Sequence, residues 1–371
     1  MIPAAPFLPA WLYSEPDIAE REQQLYARRC WHPIAASSEL AEGQALAMEL
    51  LGLPLLLTRT DAEPPRAFLN RCPHRGMHLL KPGLPSRNCR RLVCPYHGWT
   101  YNLNGQLRAA AREAEFVEPF SRSDWPLQQL PCRQEGPLIW VALDPDPLPL
   151  EQQLDLLLRE AGSLWRQPRQ LLAREQRPLA CNWKLAHDNT LDDYHVAIAH
   201  PQTLHRLQGP VRGYRHLLSR HCSLLATPSD DNGSFLTFGL LPWTHLLLWS
   251  DGRLAVLQFV PELHNARRDP QAQGRCNMNV WLLGFEPNPA DAGWMAEMMR
   301  FLEEDRQLVE SVQRGYASGL QPGPAHRLET RILHWQALYA EWMELDRLEP
   351  KAPQPNQASM AASTSKRATS Y

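Results

Sequence analysis

Apolar and polar positions alternate in short runs through the first part of the chain and settle into longer helical periods toward its end. Ser14-Glu15-Pro16-Asp17 carries a helix start, a capping hydroxyl followed by proline and acids, and predicts a peripheral helix over Ile18–Arg29. From Trp31 to Leu57 the pattern shortens to strands and turns, with β-type runs at Gln44–Glu49 and Leu53–Arg59 separated by Gly52 and Pro54. Asn102-Leu103-Asn104-Gly105 has hairpin chemistry. Pro137–Leu143 reads as a buried strand returning to the same small β domain, and the proline-rich Asp144–Leu150 marks its boundary.

Glu151–Glu160 is helical in period, and beyond Pro178 helices mix with β-rich runs at Phe235–Leu241, Leu246–Trp249, Leu254–Val260 and Asn279–Phe285. Met295, Met298, Phe301, Leu302 and Val309 recur at helical spacing in Ala290–Tyr316, a long amphipathic helix. A second long helix is predicted over Ala325–Leu348, after the Pro322-Gly323-Pro324 breaker. From Lys351 the composition is too poor in apolar residues to pack. The expected organisation is α+β: a helical segment over 1–40 packing on the second domain, a β domain over 41–150, an α+β domain over 151–350 and a disordered tail over 351–371.

Composition narrows the function classes. With 44% hydrophobic and 21% charged residues, the 371-residue chain reads as soluble and globular, and its formal charge of −2 gives no case for nucleic acid or an anionic membrane. The start has no basic region before an apolar stretch, and the apolar run Ala45–Leu57 is interrupted by Glu49 and Pro54, so a cytoplasmic protein is expected. Six of the eight cysteines, Cys30, Cys89, Cys132, Cys181, Cys222 and Cys276, lie singly and read as buried thiols.

The other two sit in Cys72-Pro73-His74-Arg75-Gly76 and Cys94-Pro95-Tyr96-His97-Gly98-Trp99. Two thiolates and two imidazoles are the ligand set of a Rieske [2Fe-2S] centre, one cysteine and one histidine coming from each loop. A Cys2His2 zinc site is the competing reading, although the spacing of zinc pairs is missing from both loops. The loops resemble those of the Rieske non-haem iron oxygenases. Respiratory Rieske proteins add a disulfide between their loops, and this chain has Met77 and Tyr96 at those places, so the resemblance is to the disulfide-free type.

An oxygenase needs a second metal, and non-haem Fe(II) that binds O2 is commonly held by two histidines and one carboxylate. His195 and His200 supply the imidazoles. Five helical steps would turn one about 140° from the other, but Pro201 lets the helix end at His200. Asp192, three residues before His195, would share its helix face, whereas Asp193 would be solvated or in an ordinary salt bridge.

The stretch Asn182-Trp183-Lys184 through Asp192-Asp193-Tyr194-His195 to His200-Pro201 is similar to the family motif. There the aspartate corresponding to Asp192 hydrogen-bonds an iron-binding histidine and reaches a cluster histidine of the neighbouring subunit. The resemblance also implies Asp305 as the third iron ligand, eight residues before Gln313, with Glu303 and Glu304 left as a solvated face. His187 and His205 are candidate pocket residues, and the remaining histidines read as surface or core.

The resemblance spans nearly the whole chain and implies a Rieske β domain followed by a helix-grip (START/Bet v1-like) catalytic domain. It further implies one [2Fe-2S] cluster and one mononuclear Fe(II) per subunit, O2 and a small organic substrate, a separate NAD(P)H-dependent reductase and a homotrimer. Within the family the chain looks more like the choline, carnitine and betaine branch. Trp243, Trp249 and Trp281 are then candidates for an aromatic cage around a quaternary ammonium. Hydroxylation or demethylation of an aromatic or alicyclic substrate is the rival reading, and a Rieske electron carrier with a ligand-binding domain is the non-enzymatic one.

Overall fold

A computed structural model describes residues 7–61, 63–227, 235–262, 270–287 and 291–347. The expected tail and Leu348 lie outside the described residues. Helix α1 (Pro16–Arg21) widens over Glu22–Tyr26 and tightens over Ala27–Arg29, so the regular helix expected there is broken. The widening begins at Glu22, which is drawn inward to accept from Lys184 Nζ at 2.5 Å and Trp183 Nε1 at 2.9 Å.

The first domain is built from β1 (His32–Ala36), β2 (Gln44–Leu50), β3 (Leu53–Thr58), β4 (Arg66–Leu69), β5 (Arg87–Asn88), β6 (Leu92–Val93), β7 (Thr100–Tyr101), β8 (Leu107–Ala109), β9 (Gln129–Leu130), β10 (Cys132–Glu135) and β11 (Leu138–Val141). They form antiparallel sheets in the orders β5-β2-β3-β4-β9, β6-β7-β8 and β1-β11-β10. β1 follows the strand pattern expected from Trp31 onward, and because its five buried residues pair with β11, the end of the 1–40 segment belongs to the β domain. Leu56, Phe68, Leu92, Trp99, Tyr101 and Leu107 pack with Cys72 and Cys94 into one small core. The two motif loops therefore stand on a rigid base.

In the second domain the helix expected over Glu151–Glu160 is split at Leu154 into α2 (Leu150–Gln153) and α3 (Asp155–Trp165). A seven-stranded antiparallel sheet follows, made of β12 (Gln170–Leu179), β13 (Arg215–Leu218), β14 (Cys222–Ala226), β15 (Phe235–Leu240), β16 (Thr244–Trp249), β17 (Leu254–Pro261) and β18 (Cys276–Gly284), in the order β12-β18-β17-β16-β15-β14-β13. Side-chain alternation divides its faces. Leu246, Leu248, Leu254, Val256, Trp281 and Leu283 pack on Leu156, Leu157 and Trp165 of α3.

The opposite face, with Leu247, Trp249, Ala255, Leu257, Met278 and Val280, is gripped by α4 (Trp183–Leu191), α7 (Asp291–Ala317) and α8 (Thr330–Trp342). Two short helices, α5 (Val196–Ala199) and α6 (Leu204–Gln208), link α4 to β13. The N-terminal residues Leu12, Tyr13, Ile18 and Tyr26 share this core. The whole is the α+β architecture expected, a small β domain followed by a helix-grip domain. Among the described residues no helix is long and apolar enough to cross a membrane.

Candidate metal centres

The two cysteine loops are built alike. In each, the cysteine N–H bonds the carbonyl five residues on, Cys72 to Met77 and Cys94 to Trp99, both at 2.8 Å. Each glycine N–H then bonds back to its cysteine carbonyl, Gly76 at 2.8 Å and Gly98 at 3.0 Å. Both glycines sit at positive φ, 73° and 71°, where a Cβ is disfavoured, and this lets each loop fold over its cysteine. Cys72 and Cys94 are buried whereas His97 is exposed and His74 half-exposed. The His74 and His97 rings lie 4.6 Å apart, and His74 stacks on Trp99 at 4.9 Å. Tyr101 Oη approaches Cys72 Sγ to 3.4 Å.

His74 Nδ1 is buried without a hydrogen-bond partner among the described residues, an orphan that a metal would satisfy. Among the described residues these four side chains do not converge on a single point, as tetrahedral zinc requires. A pair of irons, with the thiolates inside and the imidazoles at the surface, fits this layout. All eight cysteines are free, with Met77 and Tyr96 exposed beside the loops.

The second site does converge. Ligand atoms of His195, His200 and Asp305 lie within 4.8 Å of one another, and no other such set of three or more occurs among the described residues. Nε2 of His195 and Nε2 of His200 are 3.2 Å apart, and Asp305 Oδ1 is 2.8 Å from His200 Nε2 and 3.4 Å from His195 Nε2. Two imidazoles and one carboxylate facing one point suit ferrous iron with open positions.

The local sequence explains the convergence. α4 is capped by the Asn182 side chain, which accepts from Lys184 N–H at 3.0 Å, and it ends at Leu191. Asp192 is extended, at φ −86° and ψ 111°, and its carboxylate takes the Tyr194 N–H at 2.7 Å. This Asx turn redirects the chain. Asp192 and His195 therefore do not share a helix face as expected, yet Asp192 Oδ2 still lies 3.1 Å from His195 Nδ1. The single turn α5 then brings His200 round, and Pro201 follows it outside the helix.

Asp305 comes from α7, which is clamped to the start of α4. Gln313 accepts from Asn182 N–H at 2.7 Å, and Glu310 accepts from Ala180 N–H at 3.0 Å. Asn189 Nδ2 donates to Asp305 Oδ1 at 2.7 Å. Glu304, expected on a solvated face, is 2.6 Å from His200 Nδ1 and accepts from Thr203 Oγ1 at 2.7 Å. The reason is its place beside Asp305 on the turn of α7 that meets His200. A heavily acidic run hides such a residue, since nothing in Glu303-Glu304-Asp305 distinguishes the inward-facing acids.

Each histidine thus has a carboxylate at Nδ1, Asp192 for His195 and Glu304 for His200, which leaves Nε2 free for a metal and raises its basicity. Glu304→Ala is expected to weaken Fe(II) binding about 10- to 100-fold, measured by dialysis against a competing chelator.

Burial opposes charge on all three converging groups, but their mutual hydrogen bonds prevail. His195 is raised to about 10 with help from Asp192 and Asp305, His200 is also raised, and Asp305 is lowered. Protons therefore compete with a metal for the imidazoles throughout the neutral range. Because the raised values favour the protonated form at low pH, metal affinity rises with pH and each binding event releases protons. Loading with Co(II) is expected to be markedly tighter at pH 8 than at pH 6, and equal affinities would contradict the assignment.

A model of the Rieske [2Fe-2S] domain matches residues 30–129, and a model of the ring hydroxylating alpha subunit catalytic domain matches residues 168–345. The chain belongs to the Rieske oxygenases. It is 29% identical over 329 residues to the carnitine monooxygenase oxygenase subunit of Escherichia coli (strain K12), covering 84% of both. It is 25% identical over 394 residues to the glycine betaine monooxygenase oxygenase subunit of Chromohalobacter salexigens, covering 93% of this chain and 87% of that one. The crystal structure of the quaternary ammonium Rieske monooxygenase CntA with L-carnitine superposes with a TM-score of 0.78 at 25% identity, covering 92% of this chain and 96% of that one.

As a Rieske oxygenase the protein uses a Rieske cluster and a mononuclear iron, and the two sets of side chains above are of the right kind for them. The three tryptophans do not form one cage. Trp281 points to the α3 face, where the Arg174 guanidinium lies 4.4 Å from its ring centroid. Trp243 is fully buried, 5.2 Å from Trp183 and 5.4 Å from His32. Trp249 alone faces α7, 5.4 Å from Trp294.

Asp193 is buried rather than solvated, 2.7 Å from His216 Nε2 and 3.7 Å from Arg331 Nη1. His187 is buried against His245 and Trp335, its ring 4.6 Å and 4.9 Å from theirs, and burial pushes it down to about 3. It is a neutral imidazole in the grip. His205 is half-buried on α6.

Proposed function

We propose that this Rieske oxygenase is the terminal component of a system that hydroxylates or oxidatively demethylates a small quaternary ammonium compound, drawing electrons from a separate NAD(P)H-dependent reductase. In this reading Cys72, His74, Cys94 and His97 hold the [2Fe-2S] cluster, and His195, His200 and Asp305 hold the mononuclear Fe(II). Bound at those residues, the two groups supply one-electron transfer and O2 activation. Asn189 steadies the Asp305 carboxylate by donating to Oδ1, Glu304 keeps the proton of His200 on Nδ1, and the Asp192 carboxylate lies 3.1 Å from His195 Nδ1. The convergence of His195, His200 and Asp305 on one point carries the proposal.

Asp192 is 19% exposed on its side chain, so it can touch both His195 and a neighbouring surface. We assign it as the link to the cluster histidines of another subunit in a homotrimer. With Fe(II) supplied in excess so that both centres are filled, Asp192→Ala is then expected to hold the iron of both centres yet lose coupled turnover. Full turnover in that variant would remove the assignment.

Substrate class rests on the carnitine and glycine betaine oxygenase relatives, each similar over most of this chain. The test is a screen of carnitine, choline and glycine betaine against aromatic acids, using purified protein with a surrogate reductase. O2 consumption, formaldehyde and oxidised products are followed. Turnover of a quaternary amine is expected, and turnover confined to aromatic acids would overturn the substrate assignment.

A further inference from the structure

The one candidate tryptophan that faces α7 belongs to an aromatic corner that already holds a cation. The guanidinium carbon of Arg253 lies 5.5 Å from the Trp249 ring centroid and 5.2 Å from that of Trp294. The two indoles meet edge to face at 5.4 Å and 90°, and Phe235 lies 4.8 Å behind Trp249. Trp249 and Trp294 are 8% and 6% exposed, whereas the Arg253 side chain is 44% exposed. Arg253 Nε is tethered to Asp251 Oδ2 at 2.8 Å across the β16–β17 turn.

Beside this corner is a cavity of about 220 Å³ whose lining includes Thr203, Leu204, Trp249, Arg253, Trp294 and Phe301. Thr203 leads to the iron centre, because it donates to the Glu304 carboxylate that meets His200. Trp294 Nε1 is buried and has no partner among the described residues. Trp294, Met298 and Phe301 lie on the stretch of α7 that runs toward Glu304 and Asp305. Eleven residues from Trp294 to Asp305 span about 16 Å along the helix axis, so a cation at the indoles is not within reach of the iron.

We propose that the Trp249–Trp294 corner is an entry site for organic cations on the way to the iron centre, and that Arg253 is its internal occupant when no substrate is present. An incoming alkylammonium takes the indole faces, and the guanidinium moves into solvent while staying tethered to Asp251. The exchange is balanced in charge and favours the visitor. Arg253 is already near water and loses little by leaving, while a tetraalkylammonium is poorly hydrated and gains most from desolvated tryptophan faces. The site selects against neutral molecules of the same shape, and for the identity of its natural ligand it rests on the quaternary ammonium reading above.

The test is calorimetric titration of the iron-loaded protein with tetramethylammonium, with tert-butanol as the neutral comparison. Trp294→Leu is expected to weaken tetramethylammonium binding about tenfold and Trp294→Phe less, while Arg253→Ala tightens it about fivefold by removing the competitor. Retention of the mononuclear iron and an unchanged thermal unfolding transition establish that each variant is folded. Should Trp294→Leu fail to fold, Arg253→Ala and Trp294→Phe decide the matter.

Affinities within twofold of wild type in Arg253→Ala and the Trp294 variants, or equal binding of tert-butanol, would overturn the entry site. If the wild type turns over a quaternary amine and the variants do not change its KM, the entry site fails while the proposed function stands. If no quaternary amine is turned over but the binding changes appear, the entry site stands and the substrate assignment fails.

Discussion

Asp305→Ala is expected to keep the Rieske absorption unchanged while the mononuclear iron is lost and turnover falls about a thousandfold or more. Asp305 is the only one of the three converging side chains that comes from α7, and its Oδ1 is shared by His200 at 2.8 Å and Asn189 at 2.7 Å. Removing it leaves two imidazoles facing each other with no carboxylate to complete the facial set. The cluster loops belong to a separate core built on Leu56, Phe68 and Trp99, so they do not feel the change. Metal analysis with visible absorption checks both halves of this result in one sample. Loss of the cluster signal together with the mononuclear iron would mean that the two centres are not independently held.

Glu22→Ala is expected to destabilise the protein by about 3–5 kcal/mol, because it strips the counter-charge from a buried ammonium. Lys184 and Glu22 are both fully buried and 2.5 Å apart, and the same carboxylate accepts from Trp183 Nε1 at 2.9 Å and Tyr339 Oη at 2.6 Å. One acid thus ties the N-terminal segment to α4 and α8. Burial pushes Lys184 down and Glu22 supports its charge. Without Glu22 the lysine is depressed further, so the unfolded chain binds more protons than the folded one and the deficit narrows as pH rises toward the ordinary lysine range near about 10.

Thermal unfolding is expected to fall by about 10 °C at neutral pH. Lys184→Met in the same background is expected to recover much of the loss by removing the stranded charge. A variant as stable as wild type would show that the pair contributes nothing net.

The two cysteine loops and the His195–His200 pair stand out in the sequence because their candidate ligand side chains sit in short, local motifs. Asp305 was reachable only through its distance to Gln313, which the structure explains as the clamp on Asn182. Glu304 was not legible, since its role depends on which side of α7 meets His200. The Asp192 turn was misread as helix because an Asx turn and a helix interior look alike over three residues.

Strand β12 was missed for a different reason. Gln170-Leu171-Leu172-Ala173-Arg174-Glu175-Gln176-Arg177 has helix-forming composition, and it is a strand because β18 pairs along its whole length at the sheet edge. The tryptophan cage failed on parity: Trp281 and Trp249 fall on opposite faces of one sheet, which no count along either strand reveals without the register. Trp294, the true neighbour of Trp249, was hidden among the apolar residues of α7.

Each chain is expected to hold a two-iron cluster and a separate single iron. Quantifying iron and acid-labile sulfide in anaerobically reconstituted protein decides this. Three irons and two sulfides per chain are expected, with one iron removed selectively by a ferrous chelator and restored by Fe(II). Two irons and two sulfides per chain, unchanged after Fe(II) is supplied in excess, would contradict it.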